Sequence, residues 1–415
     1  MAHEREALLQ AIERDRERIL DFYRGFIRAK SPNPPGDTRE AAAHIAKLLS
    51  GEAVQYRTIA PKSEMPNIVA SFEGGAGGRH LVLNGHIDVF PVGEGVGWTQ
   101  DPWGAALVDG RIYGRGACDM KAGTTASIFT YLYLSRIRDK LKGKLTLTCV
   151  SDEETFGPWG ARYLIEHHPE VRGDCLLNGE PSGLGTIRFG EKGPLWLAFT
   201  IRTPGAHGAY THFSASATKI AGRLIAELEA VTRIPAHPPD NVVRALEAAA
   251  PAVDAAMGKG AAAIVPKVTL NVGVIHGGLK VNMVPGECRL EADIRLPLGV
   301  EKEEVMREVR RIAAAFPEAA LEEINYSAPS WCDPFGEMVE ILRTNAKQLS
   351  GVTPVPIVSL GGTDARLWRY KGVPAYVYGP PPLGMGSYDE HVRVEDFFRV
   401  VSTHVLSAYD YLSRG

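Results

Sequence analysis

The chain has 415 residues, 45% hydrophobic and 23% charged, with 46 basic against 49 acidic side chains and a formal net charge of −3. That balance gives no electrostatic case for nucleic acid or an anionic membrane surface, and no apolar run approaches the about 20 residues a membrane span needs. The N-terminus is charged and amphipathic with no apolar signal-peptide centre, so the cytosol is the expected compartment.

Leu8, Leu9, Ile12, Ile19, Leu20, Phe22, Tyr23 and Ile27 recur at roughly helical spacing and predict one N-terminal helix, ended by Pro32, Pro34, Pro35 and Gly36. Helix, strand and strand then follow in "DTREAAAHIAKLLS", "NIVASFEG" and "HLVLNGHIDVF". Helix "TTASIFTYLYLSRI", strand "KLTLTCVSDEE", helix "WGARYLIEHH" and strand "DCLLNGEPSG" continue the alternation. Such alternation predicts an α/β fold, a parallel or mixed central sheet with helices on both faces. After about residue 190 longer strands appear ("GPLWLAFTIRTPG", "KVTLNVGVIHGG", "ECRLEADIRLP") with two helices, "SATKIAGRLIAELEAV" and "EKEEVMREVRRIAAAF". They predict a small inserted α+β sandwich, and the Ala-rich piece 247–263 reads as a loop with a short helix. The expected organisation is a discontinuous catalytic domain, 1–189 and 326–415, split by a lid at 190–325. Five cysteines, an odd number without a CxxC, read as buried reduced thiols.

In an open α/β sheet ligands bind beyond the carboxyl ends of the strands. Here those ends carry His86 and Asp88, then Asp152, Glu153 and Glu154, then Glu180, with Asp119 just before a helix. Each alone has an ordinary explanation; Asp119, for one, could cap its helix. Together they crowd negative charge at one mouth, which calls for a cation. One His among carboxylates suits Zn²⁺, Mn²⁺ or Co²⁺ better than Ca²⁺. His86 and Asp88 project to the same side of a strand, so the Asp88 carboxylate is expected to accept a hydrogen bond from the imidazole nitrogen that faces away from the metal.

"GHIDVFPVG", "DPWGAALVDGRIYGRGACDMKAG", "SDEETFGPWGA", "NGEPSG" and "GGTDARL" together resemble the metallohydrolase family of acetylornithine deacetylase, succinyl-diaminopimelate desuccinylase, aminoacylase and glutamate carboxypeptidase. The resemblance spans nearly the whole chain. It implies a zinc-peptidase-like catalytic domain, a lid that forms a homodimer, and one or two divalent ions per chain, zinc first with cobalt or manganese as alternatives. Carried over by motif, His86, Asp119 and Glu180 hold one metal, Asp119 bridges, and Glu154 holds the second. Glu153 is implied as the general base. In the lid, His207 ("TPGAHGAYTH") is implied as an oxyanion donor, ahead of His212, and Asn282 and Arg295 as grips on a substrate carboxylate. A structural ion pair competes for Arg295. Gly362 and Thr363 are expected in the same pocket.

The family's second metal is usually closed by a histidine four residues before a glutamate. In "GMGSYDEHVRVEDF" that place is Gly386 before Glu390, and the only histidine is His391. His391 is preferred as the ligand, with Asp389 or Glu390 as substitutes or a weak second site as the other readings. The expected activity is hydrolysis of an amide C–N bond in a small carboxylate-bearing substrate, an N-acyl amino acid or short peptide. A single-metal aminohydrolase and a catalytically silent amino-acid or peptide binder are the competing readings.

Overall fold

The computed structural model describes residues 2–414. The chain divides into two compact units: Met1–Phe189 with Cys332–Ile357 and Thr363–Gly415, and Gly190–Trp331 with Val358–Gly362. The short return Val358–Gly362 to the second unit was not legible in the sequence; the Lys192 amide secures it by donating to the Ser359 carbonyl at 3.0 Å.

In the first unit the sheet runs, from its edge inward, Tyr56–Ile59, Asn67–Glu73, Lys142–Val150, Gly75–His86, Cys175–Asn178, Ala375–Val377 and Thr186–Glu191. Lys142–Val150, Gly75–His86, Cys175–Asn178 and Ala375–Val377 are mutually parallel, whereas Asn67–Glu73 and Thr186–Glu191 join antiparallel, so the sheet is mixed. The middle strands are continuous apolar runs because both faces are covered: Leu81, Val82, Leu83, Leu145, Leu147, Leu176 and Leu177 are all fully buried. Every residue of helix Ala122–Ser135 up to Leu134 is buried as well. The N-terminal segment is two helices, Ala2–Arg14 and Arg16–Arg28, with a break at Asp15.

The second unit is a four-stranded antiparallel sheet in the order Thr269–Gly277, Glu287–Leu296, Gly193–Arg202, Ala319–Tyr326. Burial alternates strictly along Glu287–Leu296, the signature of a sheet covered on one face. Helices Ala217–Leu228 and Lys302–Ala313 close that face over Leu197, Phe199, Leu290 and Ile294. The Ala-rich segment corrects the expectation of a loop. It forms an 18-residue helix, Asp240–Met257, that runs through Pro251 and buries Val242, Ala245, Ala249 and Val253. Alanine's helix propensity and that apolar stripe outweigh the one main-chain hydrogen bond proline removes.

Two glycines fix how closely the buried helix meets the sheet. A Cβ on Gly123 would stand 1.9 Å from the Gly179 carbonyl oxygen, and one on Gly179 would stand 2.5 Å from Gly123 Cα. This backbone-on-backbone contact holds the turn before Glu180 against the helix that follows Asp119. Gly179→Ala is therefore expected to cost about 1–3 kcal/mol by overpacking, read as a lower urea midpoint at unchanged slope.

Candidate metal centre

Three adjacent parallel strands deliver the acidic side chains to one edge. His86 is in register with Val150, and Asn84 with Asn178, so Glu180, two residues past Asn178, comes level with His86. Asp119 enters from the turn 117–121, ahead of the buried helix. The imidazole Nε2 lies 3.2 Å from Asp119 Oδ1 and 3.3 Å from Glu180 Oε1. Ligand atoms of His86, Asp119 and Glu180 all fall within 4.8 Å of one another, the one such group among the described residues.

Each member is gripped through its main chain. His86 Nδ1 is 2.8 Å from the Asp88 carbonyl oxygen; a carbonyl only accepts, so Nδ1 carries a proton and Nε2 is the nitrogen left to face an ion. The hydrogen bond thus goes to the main chain of Asp88 rather than to its carboxylate, which sits 3.6 Å away. That carboxylate instead accepts from the amides of Glu153 (3.3 Å) and Glu154 (3.1 Å) and from Asn33 Nδ2 (2.8 Å). The Asn178 side-chain oxygen takes the Glu180 amide at 2.7 Å, and Thr124 donates to the His86 carbonyl at 2.8 Å. Buried Glu390 accepts the amides of Cys118 (2.9 Å) and Asp119 (3.1 Å) on one oxygen and Arg115 (2.7 Å) on the other. Lys121, wholly buried, pins the same turn by donating to the carbonyls of Phe26 and Ala29 at 2.9 and 2.7 Å.

The electrostatics point to a missing positive charge. Burial disfavours the charged form of His86, yet Glu180, Asp119 and Asp88 hold its pKa well above the ordinary imidazole range. Burial, and then the Asp119 charge, push Glu180 up to about 7 and Glu154 well above the usual carboxylate range. Glu153 is raised strongly, chiefly by burial. Burial also raises Asp119, but the hydrogen bond and charge of His86 leave it below its ordinary value. Glu153 Oε1 and Glu154 Oε1 are buried with no hydrogen-bond partner. Buried carboxyl oxygens without a hydrogen-bond partner, beside an imidazole nitrogen, are what a divalent cation satisfies when it displaces their protons.

Residues 82–409 match peptidase family M20/M25/M40. The chain belongs to that family. It is a metal-dependent hydrolase of amide bonds. A succinyl-diaminopimelate desuccinylase of Cereibacter sphaeroides is 27% identical over 380 residues, 89% of this chain and 93% of the relative. An M20 metallo-carboxypeptidase from Sulfolobus solfataricus superposes with a TM-score of 0.80 at 18% identity, over 95% of this chain and 99% of its own. A dinuclear metal-binding M20 peptidase from Bacillus subtilis superposes with a TM-score of 0.68 at 17% identity, over 97% and 99%.

The remaining sequence-derived site residues of this M20 chain fall in several places. His391 stands in the strand His391–Arg393, its Nδ1 on the Asp389 carbonyl at 2.8 Å and its ring 4.8 Å from that of Tyr113. The Asp389 carboxylate takes the amides of Thr99 (2.8 Å) and Gln100 (3.3 Å). Thr363 is buried and its hydroxyl accepts the Ala365 amide at 3.3 Å, while Gly362 lies in the second unit. There, His207 is exposed on a two-residue ladder opposite Met283, beside exposed Asn282. Arg295 is taken by its competitor: it binds Asp293 with Nε at 2.8 Å. Sequence reasoning missed Asn33, Arg115 and Lys121. Their partners are 55 to 275 residues away along the chain, so no local pattern marks them.

Without an ion, Glu180, Glu154 and His86 keep protons in the native state that the unfolded chain has already released. By linkage the ion-free protein should then lose stability as pH rises from about 4.5 towards 7. A divalent ion at about a hundredfold over its Kd should add about 2.7 kcal/mol and remove that trend, and His86→Ala should abolish the gain. Thermal denaturation across pH, with and without zinc, measures both.

Proposed function

We propose that the chain hydrolyses the amide bond of a small carboxylate-bearing substrate, an N-acyl amino acid or short peptide, with Glu153 as the general base. The observation that carries this reading is the Glu153 carboxylate. It is buried and strongly desolvated, has an oxygen without a hydrogen-bond partner, and is held through its amide by Asp88 next to the His86, Asp119 and Glu180 cluster. A divalent ion there, zinc in our reading, would polarise water and the scissile carbonyl. Glu153 would receive the water's proton and pass it to the departing amine. Adjacent Glu154 projects differently and is free for a separate role. The desuccinylase relatives make a succinyl amide the first substrate to try.

In the lid, the Ala209 amide donates to His207 Nδ1 at 3.2 Å, which leaves the proton on Nε2, the form an oxyanion donor needs. We place this group in the active site of a second copy, in a homodimer built through the lid. The exposed edge strand Thr269–Gly277, with Ile275 half-exposed, and exposed Leu279 and Val281 support that assembly. Arg295 would reach a substrate carboxylate only by leaving Asp293. All five cysteines are free, which fits a reducing cytosol, and no helix among the described residues is long and apolar enough to cross a membrane.

Glu153→Gln should lower kcat by about 10²–10⁴-fold with bound metal unchanged by elemental analysis; near-native turnover would reject the base. His207→Ala should lower kcat by about 10²–10³-fold. Mixing the two inactive variants should restore turnover that neither has alone; if the mixture stays inactive, the shared site is wrong.

A further inference from the structure

The donors around Asp119 are unequally distributed. On one side stand an imidazole and a buried carboxylate, His86 and Glu180, within 3.3 Å of each other. The carboxylate left for a second ion is Glu154, whose buried Oε1 has no hydrogen-bond partner. Nothing else comes forward to complete a second set. Among the described residues no second group of three His, Cys, Asp or Glu ligand atoms gathers within bonding reach of a common ion.

The C-terminal loop shows why. Glu390 is completely buried, and its two oxygens are spent on the amides of Cys118 and Asp119 and on Arg115, whose guanidinium lies 5.2 Å from the ring centroid of Trp98. Both oxygens of Asp389 are spent on Thr99, and one also takes Gln100. The His391 ring packs on that of Tyr113 at 4.8 Å and stands outside the His86, Asp119 and Glu180 group. Gly386 offers no side chain, and a Cβ there would meet only the ring of Phe90, at 3.7 Å. Cys118 turns its thiol to the Leu383 carbonyl. On the far side of Glu153, Arg366 Nη1 lies 3.5 Å from Oε1 and supplies fixed positive charge.

We propose that this centre is mononuclear at rest: one divalent ion held by His86, Asp119 and Glu180, and no tightly bound second ion at Glu154. Two carboxylates without an imidazole make a poor tight site for zinc or cobalt, which favour nitrogen or sulfur donors. A borderline ion in the position between Asp119 and Glu154 therefore exchanges with solvent. This sets the chain apart from the Bacillus subtilis neighbour described as dinuclear. The C-terminal loop acts as a brace on the Asp119 turn and contributes no ligand.

The inference rests on the reading of the site as a metal centre, and one experiment separates the two. The full chain is loaded with excess Zn²⁺, or Co²⁺ in parallel, freed of unbound ion by gel filtration, and analysed for metal per chain. The expected result is one equivalent in the native protein, one in Glu154→Gln, and near zero in His86→Ala, with a Co²⁺ paramagnetic spectrum free of spin coupling. Two equivalents in the native protein, falling to one in Glu154→Gln, would overturn the mononuclear assignment and leave the hydrolase reading standing. No retained metal in the native protein would sink both. The native stoichiometry decides the question even if a variant fails to fold.

Discussion

Several carboxyl groups and one imidazole are forced together at the end of a buried sheet, and two of the carboxyls, Glu153 and Glu154, each bury an oxygen without a hydrogen-bond partner. Anions brought out of water repel one another strongly unless a proton or an ion intervenes. His86, Glu154 and Glu180 record this as a retained affinity for protons. The fold tolerates the arrangement because a divalent ion can replace those protons.

Holding such a cluster in place needs more than the strands. A relay of side chains to main-chain amides does it: Asp88 grips Glu153 and Glu154, Asn178 grips Glu180, and Glu390 grips Cys118 and Asp119. Hydrogen bonds to charged groups contribute about 1.5–3 kcal/mol each, and they act on the backbone, so the ligand side chains remain free for the ion. The carboxylates at 88 and 390 bind main-chain amides and stand outside the His86, Asp119 and Glu180 group. This explains how a sequence so rich in acidic motifs yields a ligand group of only three members.

Much of this was legible in the chain. The alternation of apolar runs with helical periodicities gave the mixed α/β class and the inserted lid, because burial on two faces and on one face leave different patterns. Crowded acidic strand ends led to His86, Asp119 and Glu180, because strand ends in such sheets share one edge. Less legible were the tasks of individual carboxylates. The sequence places the Asp88 carboxylate on the imidazole; the main-chain oxygen takes that place, while the carboxylate accepts from the amides of Glu153 and Glu154. Imidazole chemistry favours His391 as a ligand, yet its ring packs on Tyr113 with Nδ1 on the Asp389 carbonyl, outside the His86, Asp119 and Glu180 group. The Ala-rich helix was hidden by a proline.

By itself, the sequence determined the class of fold, the family, and the acidic and imidazole side chains that crowd one sheet edge, because hydrophobic period and motif spacing are local properties. Only the tertiary structure decided which carboxylates gather beside His86 and which turn to main-chain amides instead. Those roles depend on distances between residues such as Arg115 and Glu390, far apart in the chain and 2.7 Å apart in space. Spacing along a polymer carries no record of such distances until the chain has folded.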